Sequence, residues 1–147
     1  MSLPNYNDII GPSPYLDANL YIYAFEGFAD VRATLLPLLD YLGRANVEVT
    51  GSELLIPELL TKPMALDDQA LIDRYMDFFD APGSVTLIPV SRPVLTLAAE
   101  LRADEGLALA DAIHIATAID QGCSSFVTAD ETLAAIDDLP IVTLQDL

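Results

Sequence analysis

Basic side chains are nearly missing from this sequence. Lys62, Arg32, Arg44, Arg74, Arg92 and Arg102 stand against 23 acidic residues, giving a formal net charge of −17 over 147 residues. That balance excludes a nucleic-acid binder working through a basic face, because such binding rests on Lys and Arg neutralising phosphates. Acidic residues can still approach a phosphate if they first trap a divalent cation, which inverts the local sign of charge. The remaining acidity then suits solubility or a basic partner.

Other absences narrow the class further. One cysteine, Cys123, excludes an internal disulfide and a cysteine zinc cage, and the thiol is expected to be inert and largely buried. No apolar run approaches the roughly 18 uncharged residues of a membrane span. The opening MSLPNYNDII lacks the basic start and apolar stretch of a secretory leader, so the expected location is cytoplasmic. No linker, internal repeat or low-complexity tract interrupts the chain, and a single domain over 1–147 is expected. The one histidine, His114, is expected to be packed and hydrogen-bonded, since hard-metal chemistry needs no imidazole.

What is present is a 52% hydrophobic composition, ample for a core. Five short β-rich runs stand out at Pro14 to Leu16, Val47 to Val49, Val85 to Val90, Ser125 to Thr128 and Pro140 to Leu144. They are brief and mostly apolar, as strands buried on both faces of a parallel sheet should be. Between them apolar residues recur at helical spacing: Leu35, Leu38, Leu39 and Leu42; Leu71, Tyr75 and Phe79; Val94, Leu97, Ala98 and Leu101; Leu109, Ala112, Ile113 and Ala116. Strands alternating with helices predict an α/β parallel sheet with right-handed crossovers. Turns are expected at Ala81-Pro82-Gly83-Ser84, at Gln121-Gly122 and at Asp138-Leu139-Pro140. Pro37 is expected to kink or split its helix, and Pro57 to bend the one after Glu53.

Placed on this map, most acids fall on solvated helix faces. Four do not. Asp17 follows the first strand, Glu53 the second and Asp130 the fourth, and ligands of open α/β sheets bind beyond the carboxyl ends of the strands. Asp111 interrupts an apolar helical stripe, where an uncompensated carboxylate is costly. Converging carboxylates repel, and their hard oxygens suit Mg²⁺ or Mn²⁺, which can polarise a phosphodiester and activate water. A plainer reading has Asp17, Ser52 and Asp130 as helix caps and Glu53 as a complement to a helix dipole, but it leaves Asp111 unexplained.

The segments Tyr15-Leu16-Asp17-Ala18-Asn19, Ser52-Glu53-Leu54 with Glu58-Leu59-Leu60, the run from Leu109 to Ala118, and Val127-Thr128-Ala129-Asp130 together resemble the PIN domain family over nearly the whole chain. The resemblance implies a three-layer α/β/α fold around a mostly parallel five-stranded sheet and a Mg²⁺- or Mn²⁺-dependent ribonuclease. It matches Asp17, Glu53, Asp111 and Asp130 to the family's acidic positions, three of them (Asp17, Asp111 and Asp130) as metal ligands, and Asn19 and Thr128 to its supporting polar ones. Leu133 stands where the family often carries an aromatic residue. A free-standing domain of this length most resembles the VapC-like toxins of toxin–antitoxin pairs, which implies an RNA substrate, a homodimer and a small basic antitoxin.

Two other readings are weighed against it. A phosphatase or phosphoacceptor domain also places Asp after a first strand, but Asn19 stands where a second Asp is wanted, and Lys62 lies outside every strand end. A non-catalytic PIN-like binding or assembly module stays open, because a fold does not guarantee activity. The aromatic segment Tyr21, Tyr23, Phe25 and Phe28 fits either the core or a partner groove.

Overall fold

The computed structural model describes residues 4–27, 29–133, 136 and 139–147; Phe28 and the Asp138 part of the last expected turn lie outside them. Along the chain run α1 (Tyr6–Ile10), β1 (Pro14–Leu16), α2 (Ala18–Glu26), α3 (Ala29–Arg44), β2 (Thr50–Ser52), α4 (Leu55–Ala65), α5 (Gln69–Asp80), β3 (Thr86–Ile88), α6 (Arg92–Glu105), α7 (Leu109–Asp120), β4 (Ser125–Thr128) and β5 (Ile141–Thr143). The strands form one sheet in the order β3-β2-β1-β4-β5, and every pairing is parallel.

Because side chains alternate across a strand, each strand feeds two cores. Leu16, Val127 and Val142 face the helices α1 to α5, packing with Leu20, Leu35 and Leu55. Tyr15 and Phe126 face the opposite way, against Val94, Ala98, Ile115 and Ala116 of α6 and α7. The result is a three-layer α/β/α sandwich with both sheet faces covered, which explains why the strands read as apolar runs.

Three local expectations are corrected. The second strand lies at Thr50–Ser52 rather than at Val47 to Val49, so the less apolar triplet Thr-Gly-Ser makes the pairing. Gly51 permits this: a Cβ there would stand 2.8 Å from Leu55 Cδ1 and 3.0 Å from Val85 Cγ2. Pro37 does not split α3, which runs unbroken through it. The proline withholds a donor from the carbonyl of Ala33, an exposed residue that water can serve. Pro57 sits in the first turn of α4, where no intrahelical donor is needed, and the Glu53 carbonyl accepts from Ile56 N–H instead.

Tyr21 is buried, while Tyr23 and Phe25 are partly so. Tyr21, Phe25 and Phe78 line an apolar cavity of about 280 Å³ with Leu16, Leu39 and Leu42. Among the described residues the buried Tyr21 hydroxyl has no partner.

Candidate active site

Parallel pairing aligns the carboxyl ends of β2, β1 and β4, and the acids follow from those ends. Asp17 comes directly after β1, its N–H extending the ladder to Val127 C=O at 2.9 Å. Its side chain is buried, 5% exposed, and begins α2. Oδ1 accepts from Ala18 N–H at 2.8 Å, and Oδ2 accepts from the Thr128 hydroxyl at 2.8 Å. The capping reading of Asp17 is therefore correct for one oxygen and incomplete for the other. Thr128, the last residue of β4, is a junction: its Oγ1 also accepts from Asp130 N–H at 3.0 Å and from Asn19 Nδ2 at 3.4 Å. Asn19 returns to β4 through Oδ1, which accepts from Ala129 N–H at 3.3 Å.

Asp130 is held two residues beyond β4 by an Asx turn, in which Oδ1 accepts from Thr132 N–H at 2.8 Å and from the Thr132 hydroxyl at 2.6 Å. Asp111, in the first turn of α7, lines with Asp130 a cavity of about 250 Å³ whose walls include Leu107, Thr132 and Leu133.

The charges interact. Burial pushes the Asp17 carboxyl above the ordinary Asp range, and Asp111 adds to that push; His114, whenever it is protonated, and the bonds from Thr128 and Ala18 oppose it. Asp111 is also raised, first by desolvation and then by Asp130, with Glu58 adding and His114 opposing. Asp111 thus makes Asp17 harder to ionise, and Asp130 and Glu58 do the same to Asp111. Among the described residues no Lys or Arg forms an ion pair with any of them: Arg44 pairs with Asp40 and Lys62 with Glu26.

Glu53 stands directly after β2, exposed, with its backbone N–H donating to Ile88 C=O at 2.9 Å; among the described residues its carboxylate makes no hydrogen bond. Because α4 starts at Leu55, the acid that α4 carries inward is Glu58, one turn later, which is partly buried against His114 and acts on Asp111. The sequence held the signal for it: Leu55, Glu58 and Leu59 share one helical face, so Glu58 interrupts an apolar stripe as Asp111 does.

His114 is 1% exposed and bonded on both ring nitrogens, to the Tyr15 hydroxyl through Nδ1 and to Glu58 Oε1 through Nε2, each at 2.5 Å. Cys123 is free and partly buried, and burial raises its thiol.

Among the described residues no three His, Cys, Asp or Glu side chains are placed closely enough to ligate one ion together. The donor set nonetheless fits a hard divalent cation: it is all oxygen, it lacks a neutralising Lys or Arg, and burial with mutual repulsion disfavours charge on Asp17 and Asp111 until a cation compensates it.

The PIN domain family model matches residues 15–139. Among curated proteins none matches the sequence significantly. Solved structures similar in fold include VapBC2 of Rickettsia felis bound to a promoter DNA fragment (19% identity, TM-score 0.68, covering 89% of this chain and 98% of that one). A toxin–antitoxin complex from Klebsiella pneumoniae matches at 20% identity and TM-score 0.65, over 91% and 99% of the two chains. DNA-bound VapBC of Salmonella typhimurium matches at 13% identity and TM-score 0.71, over 90% and 98%. No helix among the described residues is long and apolar enough to cross a membrane.

Proposed function

The chain belongs to the PIN domain family, and on that premise we propose that it is a divalent-metal-dependent endoribonuclease, the toxin of a toxin–antitoxin pair. The observation that carries the reading is electrostatic: Asp111 acts on Asp17, Asp130 and Glu58 act on Asp111, and no Lys or Arg among the described residues forms an ion pair with any of the four. Structural ion pairs would explain isolated buried acids; they do not explain this group.

Asp17, Asp111 and Asp130 would hold Mg²⁺ or Mn²⁺, with Glu58 in the place that sequence reading gave to Glu53. A bound ion of this kind polarises a phosphodiester and lowers the pKa of the attacking water. The protein's own part is preorganisation. Thr128 and Ala18 fix both oxygens of Asp17, Asn19 braces Thr128, and Thr132 fixes one oxygen of Asp130 while leaving the other available. The cavity between Asp111 and Asp130 gives a strand of RNA a place to approach.

The partner reading draws on charge and on the neighbours. A net charge of −17 favours a small basic antitoxin covering the acidic end, and a solved structure of similar fold is a toxin–antitoxin complex. A homodimer and a cytoplasmic location belong to the same proposal.

A second reading, a PIN domain that binds without cutting, draws on the spacing of the acids, no three of which are placed to share an ion. One experiment separates the two. Cleavage of single-stranded RNA by the purified protein should require added Mg²⁺ or Mn²⁺ and disappear with chelator and in Asp130→Asn. Cleavage that survives both treatments would refute the assigned site, and no cleavage under any metal would favour the binding module.

A further inference from the structure

We propose that Tyr15 and His114 are positioning residues that hold Glu58 in the acidic cluster and so set its affinity for a divalent cation; this rests on the metal-dependent reading above. His114 is the only histidine of the chain, and it lies 1% exposed on α7 between two partners from separate elements. Tyr15, fully buried on β1, reaches Nδ1 at 2.5 Å, and Glu58 on α4 reaches Nε2 at 2.5 Å. The chain of bonds therefore joins the central strand, the helix bearing Asp111 and the helix after β2.

Its direction follows from donor chemistry. A carboxylate can only accept, so Nε2–H donates to Glu58 in either charge state of the ring. In the neutral ring Nδ1 accepts, and the Tyr15 hydroxyl supplies the proton. The hydroxyl thus selects the tautomer that presents N–H to Glu58. Tyr15 is itself fixed by stacking on Phe126, with ring centroids 5.3 Å apart and planes 13° from parallel. The bond engages one oxygen of Glu58. Oε2 is bonded to no described residue, and the Glu58 charge acts on Asp111. A purely structural histidine would need no carboxylate at the edge of a cluster already short of positive charge. A histidine that orients a metal-facing carboxylate does, and residues that hydrogen-bond ligating carboxylates typically change metal affinity about 10–100-fold.

The test is Mn²⁺ titration of the full chain, reading free Mn²⁺ by electron paramagnetic resonance, for wild type, Tyr15→Phe, His114→Gln, Glu58→Gln and the double variant Tyr15→Phe/Glu58→Gln. Tyr15→Phe keeps the ring stack and removes only the hydroxyl, so it stays informative if His114→Gln does not fold. The expected result is a loss of about tenfold in affinity for Tyr15→Phe, with no further loss when it is added to Glu58→Gln. Coupling of that kind marks action through Glu58. Wild-type affinity in Tyr15→Phe would overturn the positioning role while leaving the metal reading intact, and so would losses that simply add in the double variant. A wild-type chain that binds no Mn²⁺ would overturn both.

Discussion

The Thr128 hydroxyl donates to Asp17 Oδ2 at 2.8 Å, fastening the end of β4 to the end of β1 beneath the acidic cluster. Thr128→Val keeps the shape and deletes the donor, leaving a buried carboxylate oxygen unmatched. Hydrogen bonds to charged groups contribute about 1.5–3 kcal/mol. We expect the urea midpoint to fall by a corresponding amount at unchanged slope, and an unmoved midpoint would contradict the role given to this bond.

Glu53 and Glu58 should part company. Glu58→Gln should weaken Mn²⁺ binding by about tenfold or more. Glu53→Gln, altering an exposed side chain whose carboxylate makes no hydrogen bond among the described residues, should leave binding and cleavage at wild-type levels. Equal losses in the two variants would restore the assignment made from the sequence.

The Asp111 carboxyl is held above its ordinary value of 3.8 by desolvation and by Asp130. A raised folded-state pKa means the folded chain holds that proton more tightly than the unfolded chain does. The group's contribution is thus fully present below 3.8 and is lost as pH rises through the higher folded value. Asp111→Asn removes the dependence. Without metal, the variant should melt above wild type near neutrality, and the gap should close as the pH falls toward 3.8. Saturating Mg²⁺ or Mn²⁺ should raise the wild-type melting temperature at neutral pH and leave the double variant Asp17→Asn/Asp111→Asn where it was. A constant gap across pH would show that Asp111 is not under this strain.

Gly51 lets β2 pass between Leu55 and Val85. Gly51→Ala overpacks that crossing and should cost about 1–3 kcal/mol. In a chain of this size that is a drop of about 2–4 °C in melting temperature per kcal/mol. Calorimetry that finds no drop would mean Leu55 can swing aside.

With a cognate basic partner, association should weaken as salt rises, because screening shortens the reach of the chain's net negative charge to about 8 Å at physiological ionic strength. Salt-independent affinity would point to an apolar interface instead.

Much of the architecture was legible because both sheet faces are buried, which writes β1, β4 and β5 into the sequence as short apolar runs. β2 was misplaced for the opposite reason. Its residues are Thr50, Gly51 and Ser52, chosen for close approach rather than for hydrophobicity, while the apolar Val47 and Val49 flank it. Glu53 still stands directly after β2, where the sequence puts it; what the spacing does not announce is that Glu58, one turn into α4, meets His114. Asp17, Asp111 and Asp130 were readable as positions, but the bonding of Thr128 to three groups, and the linkage of Tyr15 to Glu58 through His114, join residues far apart in sequence and emerge only from the folded chain.

Asp17 serves two masters, since one oxygen begins α2 and the other lies within the acidic group. Any event that draws its carboxylate off the Ala18 amide must loosen the opening turn of the helix bearing Tyr21 and Phe25. Were an ion to occupy the acidic end as proposed, its presence and the set of that aromatic helix would be two readings of a single lever, whose fulcrum is one side chain.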